Sequence, residues 1–302
     1  MTTQVLGLDV GGTAIKMGRF ASDGRCLKQV TVPTPQPALP EDVVNQIVRS
    51  IPLIDPGKEA IAIGVGTPGP SDGAGRIARI AINLKGWIDV PLADYLEAKV
   101  DLPVVVANDA NCAGLGERWL GAGKDYRNFI MLTLGTGVGG AIILNGDLYV
   151  GDRGTAGELG LITFEPDGPP CKSGNNGSLE QFASAKAIKR MTGKSPQTLF
   201  EEASNGIPEA IAFWEQYGTN LGTGLASLTY VLSPDAIILG GGVAASFDLF
   251  FPSLKTELHR RVLPSSRENL SIIPANLGNE AGMLGAAKLA LRMVSANQKK
   301  IF

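Results

Sequence analysis

Histidine occurs once in the 302 residues, cysteine three times, and aromatic side chains make up only 6%. Each scarcity excludes something. Cys26, Cys112 and Cys171 are an odd number without regular spacing, which rules out a disulfide framework and fits a reducing, cytoplasmic setting. The single histidine, His259, falls in a Lys/Arg/Glu-rich helical stretch, as a solvated helix residue does, and is a poor candidate for a catalytic base. Basic blocks are missing and the net charge is -2, so no phosphate-backbone surface and no nucleic-acid partner are expected. No apolar run approaches the ~20 residues of a membrane helix and no signal peptide is recognisable, so no membrane association is expected. A G-x-x-x-x-G-K-[ST] run is also missing, which excludes a P-loop enzyme.

Glycine is plentiful instead, and its placement is informative. In Leu6-Gly7-Leu8-Asp9-Val10-Gly11-Gly12-Thr13-Ala14-Ile15-Lys16 a β-forming run ends in an acid and two glycines. The pattern predicts a strand over 4–10, a tight turn with Gly11 and Gly12 at positive φ, and a second strand over 14–20. Backbone N–H groups and the Thr13 hydroxyl would face the turn, where they suit phosphate oxygens, with Asp9 able to hold a magnesium ion directly or through water. An ordinary Gly-Gly hairpin is the competing reading of this stretch alone.

Further strands are predicted over 26–32, 60–65 and 103–107, and helices over 41–50, 92–99 and 109–120, the last interrupted by Gly114 and Gly116 in a way that suggests close backbone packing. From residue 128 the pattern restarts, with a strand over 129–134, the glycines Gly135, Gly137, Gly139 and Gly140, an apolar run over 141–144 and a turn at Asn145-Gly146. The second half therefore reads as a diverged copy of the first. Its G-x-G-x-x-G match is not a dinucleotide fingerprint, because a hairpin and not a helix follows it. A long glycine- and proline-rich loop over 151–177 precedes predicted helices over 178–190, 197–203 and 208–232. Strand 236–239 then leads into Gly240-Gly241-Gly242, and helix 249–262, strand 270–273 and helix 281–294 close an α/β fold. Three glycine turns, at 11–12, 135–140 and 240–242, are what a protein needs to grip a triphosphate and its nucleoside, although each alone could be a plain turn.

Three carboxylates join them. Asp109 opens a helix after a buried strand, where the dipole favours its charge and it could accept a proton from a substrate hydroxyl; it could equally be an N-cap. Glu158 and Glu180 lie in or beside the long loop, where acids can read sugar hydroxyls, or merely be solvated.

These residues resemble the ROK family of sugar kinases, and within it the bacterial glucokinases. The resemblance covers nearly the whole chain: Asp9 to Thr13, Thr67-Pro68-Gly69-Pro70, Asn83-Leu84 with Trp87, Asn108-Asp109-Ala110-Asn111, Gly135 to Gly140, Ala156-Gly157-Glu158-Leu159-Gly160 and Gly240-Gly241-Gly242. It implies a duplicated actin-like ATPase (ribonuclease H-like) fold with two lobes around a cleft, the first formed by 1–115 plus 283–302 and the larger second by 116–282. It implies ATP and Mg²⁺ as cofactors and a hexose substrate, glucose first. Asp109 would be the catalytic base, with Gly69, Asn83, Asn108, Glu158 and Glu180 on the sugar. Asp9, Gly11, Gly12, Thr13, Lys16, Gly135, Thr136, Gly137, Gly139, Gly241 and Gly242 would serve the nucleotide, with Asp9 near magnesium. A homo-oligomer, dimer or tetramer, is expected on the same basis.

Two departures stand out. Three residues after Glu158, where the family usually has a histidine, the chain has Leu161, and the family's C-x-C-G-x-x-G-C-x-E cluster reads Cys171-Lys172-Ser173-Gly174-Asn175-Asn176-Gly177-Ser178-Leu179-Glu180. Structural zinc needs four Cys or His ligands, so no structural zinc is expected, and an S-x-x-Q capping box from Ser178 to Gln181 is expected to hold the Glu180 helix in its place. Leu161 leaves the sugar open among glucose, fructose, mannose and N-acetyl amino sugars, and short motifs do not separate ATP from polyphosphate as donor. The family's repressors carry an N-terminal helix-turn-helix, whereas here the phosphate strand begins within the first few residues. A non-catalytic sugar-sensing regulator would be expected to have lost Asp109 or a phosphate turn.

Overall fold

The computed structural model describes residues 2–81 and 84–299, with the side chains of 297–299 excepted. In chain order the first elements are β1 (Gln4–Val10), β2 (Ala14–Ala21), β3 (Cys26–Pro33), α1 (Pro40–Ile54), β4 (Ala60–Thr67), β5 (Ala78–Ile80), β6 (Ile88–Val90), α2 (Leu92–Glu97), β7 (Val104–Asn108) and α3 (Asp109–Leu120). Then come β8 (Phe129–Leu134), β9 (Val138–Leu144), β10 (Asp147–Leu148), α4 (Glu180–Ala183), α5 (Ala185–Thr192), α6 (Pro196–Ser204) and α7 (Pro208–Leu232). The chain finishes with β11 (Ala236–Gly240), α8 (Phe247–Arg261), α9 (Pro264–Arg267), β12 (Ser271–Pro274) and α10 (Ala281–Lys299).

Two five-stranded sheets share one plan, β3-β2-β1-β4-β7 and β10-β9-β8-β11-β12. In the first, β1 is antiparallel to β2 and β2 to β3, while β4 runs parallel to both β1 and β7. In the second, β11 runs parallel to β8 and β12. The repeated order is the duplication that the restarting glycine pattern announces. Central strands β4 and β11 are buried almost throughout, as parallel strands covered on both faces must be.

The chain forms two compact units, Met1–Asp125 with Ala141–Gly157 and Asn279–Phe302, and Tyr126–Gly140 with Glu158–Gly278. The division runs after Asp125, not after residue 115 as expected, and α3 stays whole in the first unit because it packs along α10. In that unit the core between sheet and helices is built from Leu6, Leu8, Ile15, Met17, Val44, Ile47, Ile63, Val65 and Val106, with Trp87 donating Nε1–H to the Ala38 carbonyl at 2.8 Å. In the second unit Trp214, Tyr217 and Phe250 stack α7 on α8, and the buried Tyr217 hydroxyl donates to the Ala183 carbonyl at 2.8 Å. Among the described residues no helix is long and apolar enough to cross a membrane.

The first unit is closed by a helix lying backbone against backbone. A Cβ at Gly64 of β4 would collide with the Ala286 carbonyl of α10, and one at Gly285 of α10 with the Cys112 carbonyl of α3. Gly116 is equally tight against the Ala281 carbonyl, which explains a glycine in the middle of α3 despite its helix cost. Neither contact can relax by a side-chain rotation. Gly64→Ala and Gly285→Ala are each expected to destabilise the protein by about 3 kcal/mol, the upper end of overpacking costs, measurable as a lowered denaturant midpoint of the first unit's transition.

Candidate active site

In the first unit the β1–β2 hairpin pairs Asp9 with Lys16. Lys16 Nζ lies 3.9 Å from Asp9 Oδ2 and donates to the Asn279 carbonyl at 3.2 Å. Burial pushes the Asp9 carboxyl above its ordinary value and the Lys16 charge only partly offsets this. A carboxylate so placed gains from a further cation, and magnesium, which is commonly held by one or two carboxylates with water and phosphate completing its shell, fits that donor set. Gly11 and Gly12 do not take the positive φ expected of them. The loop closes instead by a 2.9 Å bond from Gly11 N–H to the Ala14 carbonyl, and a Cβ at Gly11 would sit 2.9 Å from that same oxygen, so the glycine supplies room. Thr34 Oγ1 donates to the Gly11 carbonyl and Gln36 Nε2 to the Gly12 carbonyl, at 2.7 and 2.9 Å. Because a trans peptide sets its N–H opposite its C=O, the Gly12 and Thr13 amides are thereby turned away from Thr34 and Gln36, at an exposed turn suited to an anion.

At the end of β7, Asn108 and not Asp109 caps α3. Asn108 Oδ1 accepts the Asn111 amide at 3.0 Å, and its Nδ2 donates to the Gly69 carbonyl and to Asp109 Oδ1, both at 3.1 Å. Asp109 is the first helical residue, half-buried, with Oδ1 also accepting the Ala110 amide at 2.7 Å. One side chain therefore fixes the helix start and the carboxylate together. Gly69 takes φ +77, and a Cβ there would strike the Ile80 carbonyl. Burial pushes the Cys112 thiol well up, and the charges of Asp9 and Asp109 push it further, which places both carboxylates around this stretch of α3. Asn83 lies outside the described residues.

In the second unit the glycine turn is Gly135-Thr136-Gly137. Gly139 falls inside β9 and is not part of it, because the strand starts at Val138. Gly135 N–H donates to the Gly137 carbonyl at 2.9 Å, and the Gly135 carbonyl accepts the Ala185 amide at 2.8 Å. At the same sheet end Gly241 takes φ +85 with its Cα against the Leu134 backbone, while nothing lies within 4 Å of a Cβ built on Gly242. Glu180, the first residue of α4, accepts the Val138 amide on Oε2 at 2.9 Å. Burial raises the Glu158 carboxyl above its ordinary value and the charge of Glu180 raises it further. Thus Glu158, Glu180 and the Gly135–Gly137 turn form one cluster, which spacing in the sequence did not indicate.

The loop between the two glutamates is not held by the expected capping box. Leu179 is the residue before α4 and makes no side-chain cap, and Gln181 Oε1 accepts from Arg190 Nη1 at 2.7 Å. The single helix expected over 178–190 breaks at Ser184, whose extended backbone and Oγ cap α5 through the Ala187 amide at 3.1 Å. Serine offers the backbone an alternative to the helix, and here it wins. What ties the loop is Asn175, donating to the Leu161 carbonyl and Thr163 Oγ1 at 3.3 and 3.0 Å, with Cys171 N–H on the Asn175 carbonyl at 2.7 Å and Leu179 N–H on the Ile162 carbonyl at 2.9 Å. Among the described residues no group of three His, Cys, Asp or Glu side chains is arranged to hold a metal.

Comparison with known proteins accords with this geometry. Residues 5–293 match the ROK family. The chain is 33% identical to a glucokinase of Thermotoga maritima, over 95% of this chain and 96% of that one. Among solved structures it resembles a ROK family glucokinase from Streptomyces griseus in complex with glucose and AMPPNP, at 34% identity and TM-score 0.83, over 96% of this chain and 99% of that one. A ROK hexokinase from Thermus thermophilus gives 35% identity and TM-score 0.85, covering 97% of this chain and 100% of that one. The fold shared with these structures is the duplicated actin-like ATPase fold, and with a match that spans both sheets and every motif described above, the chain belongs to the ROK family.

Proposed function

We propose that the protein transfers the γ-phosphoryl group of ATP to a hexose, glucose to glucose 6-phosphate. The observation that carries this reading is Asp109, a half-buried carboxylate at a helix start, oriented by the Asn108 amide that also grips Gly69. The similarity to glucokinases along the whole chain supports it.

In this reading the sugar hydroxyl is the nucleophile. Its oxygen bonds to the γ-phosphorus as the bond from that phosphorus to the β–γ bridging oxygen breaks, ADP departs, and the proton passes to Asp109. A loose phosphoryl transition state needs little help from a base, so the main work of Asp109 is to orient the hydroxyl and take its proton late. The amides of Gly12 and Thr13, with Lys16 and Gly11 beside them, serve the phosphates in the first unit, and Gly135, Thr136 and Gly137 do so in the second. Gly241 and Gly242 allow the nucleoside to approach the backbone, and Gly139 supports this region from inside β9. Asp9 would hold magnesium, directly or through water, and the ion when bound would supply positive charge to the phosphate oxygens. For the remaining hydroxyls the first unit offers Asn108 with Gly69 and the second Glu158 and Glu180; the expectation for Asn83 falls outside the described residues.

Leu161 favours a second reading, a kinase for another hexose such as fructose, mannose or an N-acetyl amino sugar, since an alkyl side chain offers no hydrogen bond where the family's histidine has one. Polyphosphate is the alternative donor. A dimer or tetramer and a cytoplasmic location belong to the same proposal.

Asp109→Asn keeps the shape and removes the base. Its kcat is expected to fall by about 100-fold or more with little change in sugar KM, in an assay of ADP formation over a panel of hexoses; unchanged turnover would remove Asp109 from the chemistry. The pH dependence has a definite sign. Glu158 is raised above its ordinary 4.5, so in the sugar-free protein it protonates at a higher pH than a solvated glutamate. Ionised, it is the stronger acceptor for a hydroxyl, so glucose affinity falls as pH drops, at a higher pH than a solvated glutamate would dictate. Glu180→Gln removes the neighbouring charge and should move this acid limb to lower pH in calorimetric titrations.

A further inference from the structure

A glycine in a nucleotide-binding turn is ordinarily explained by the close approach of phosphate. Gly137 has a different neighbour. A Cβ built on it would collide with Glu180 Oε2, the oxygen that accepts the Val138 amide at 2.9 Å. The Glu180 carbon Cδ would be 3.3 Å from that Cβ, and Oε1 3.9 Å away. The carboxylate thus meets the Gly137–Val138 backbone through one oxygen, Oε2, which accepts the Val138 amide, while Oε1 lies farther from the turn.

The peptide beyond is fixed from its other side. A Cβ at Gly160, two residues after Glu158, would strike the Val138 carbonyl. The turn is also tied to the start of α5, just beyond α4, by the 2.8 Å bond from Ala185 N–H to the Gly135 carbonyl. Val138 is therefore clamped between the two segments that carry the acids, its N–H on Glu180 and its carbonyl against Gly160.

We infer that Gly137 and the Val138 amide are positioning groups for the sugar, orienting the Glu180 carboxylate so that its second oxygen is presented to a hexose hydroxyl. This rests on the reading of Glu180 as a sugar-binding residue and adds to it a backbone partner in the turn assigned to the nucleotide. A glycine here is required even when no nucleotide is bound. The charge-assisted N–H···O bond sets the direction of the carboxylate, and loss of that direction weakens the sugar contact without altering its chemistry.

The test is glucose binding to the full-length protein without nucleotide, by calorimetry, for wild type, Gly137→Ala, Glu180→Gln and the double variant, with a non-hydrolysable ATP analogue titrated separately. Gly137→Ala is expected to raise the glucose Kd about tenfold, the size of one lost hydrogen bond to a charged group. In the Glu180→Gln background the same change should cost no more than about twofold, because the pair acts as one unit. An unchanged glucose Kd in Gly137→Ala with only the nucleotide affinity lowered overturns the inference, as do fully multiplicative losses in the double variant. If Gly137→Ala does not fold, the Val138 amide resonance of the wild type decides: it should shift on glucose titration, and an unmoved resonance overturns the proposal. A wild type that binds the nucleotide analogue but no hexose in a panel removes the sugar reading itself, and this inference with it.

Discussion

The contact on which the first unit depends is that of α10 with the backbone beneath it. Helix and sheet normally stand apart by the thickness of their side chains, and here glycines at positions 7 and 64 remove that thickness on β1 and β4. Gly285 and Gly116 do the same between α10 and α3. The result is direct main-chain packing of α10 on β1, β4 and α3. Asp9 lies at the end of β1 beside Gly282, and Asp109 at the start of α3, so both acids inherit their positions from main-chain packing and not from flexible side chains. A reacting centre held to tenths of an ångström needs such support.

The carboxylates are then differentiated by their surroundings. Asp109 receives an amide from Ala110 and another from Asn108, at the positive end of a helix. Asp9 is desolvated and only partly offset by Lys16, which leaves it short of positive charge. Glu158 is desolvated and faces a second acid, so its proton is easily regained. Identical functional groups are thereby set in different surroundings by burial, by charge and by donors.

Much of this was legible in the sequence. The bounds of α3 and α7 are those the sequence predicts, α3 because Asn108-Asp109 follows a run of valines, and in the structure α7 ends where Ser233 takes φ 42. The G-x-G-x-x-G stretch leads into β9 and not into a helix, as its sequence context indicates. What was not legible was anything decided by a partner distant in the chain. Gly11 and Gly12 suggested left-handed turns, whereas Thr34 and Gln36 dictate the loop by binding its carbonyls. The Ser178–Gln181 spacing suggested a cap, but Ser184 took the helix apart and Arg190 took Gln181. Asn108 displaced Asp109 as the cap because its amide could satisfy the helix and Gly69 at once. Nothing in the local pattern announced Asn175 as the tie of the long loop, or Val138 as the partner of Glu180.

The discontinuity of the first unit has a consequence for biosynthesis. Its sheet is complete in hydrogen bonds once β7 has been made, yet the covering helix α10 begins only at Ala281. On the ribosome the exposed backs of β1 and β4 must therefore wait through the translation of the entire second unit, which at about 5–20 residues per second is a delay of order ten seconds or more. During that interval the nascent chain presents an uncovered apolar sheet, and a chaperone that holds such surfaces would find its substrate there until the last helix emerges.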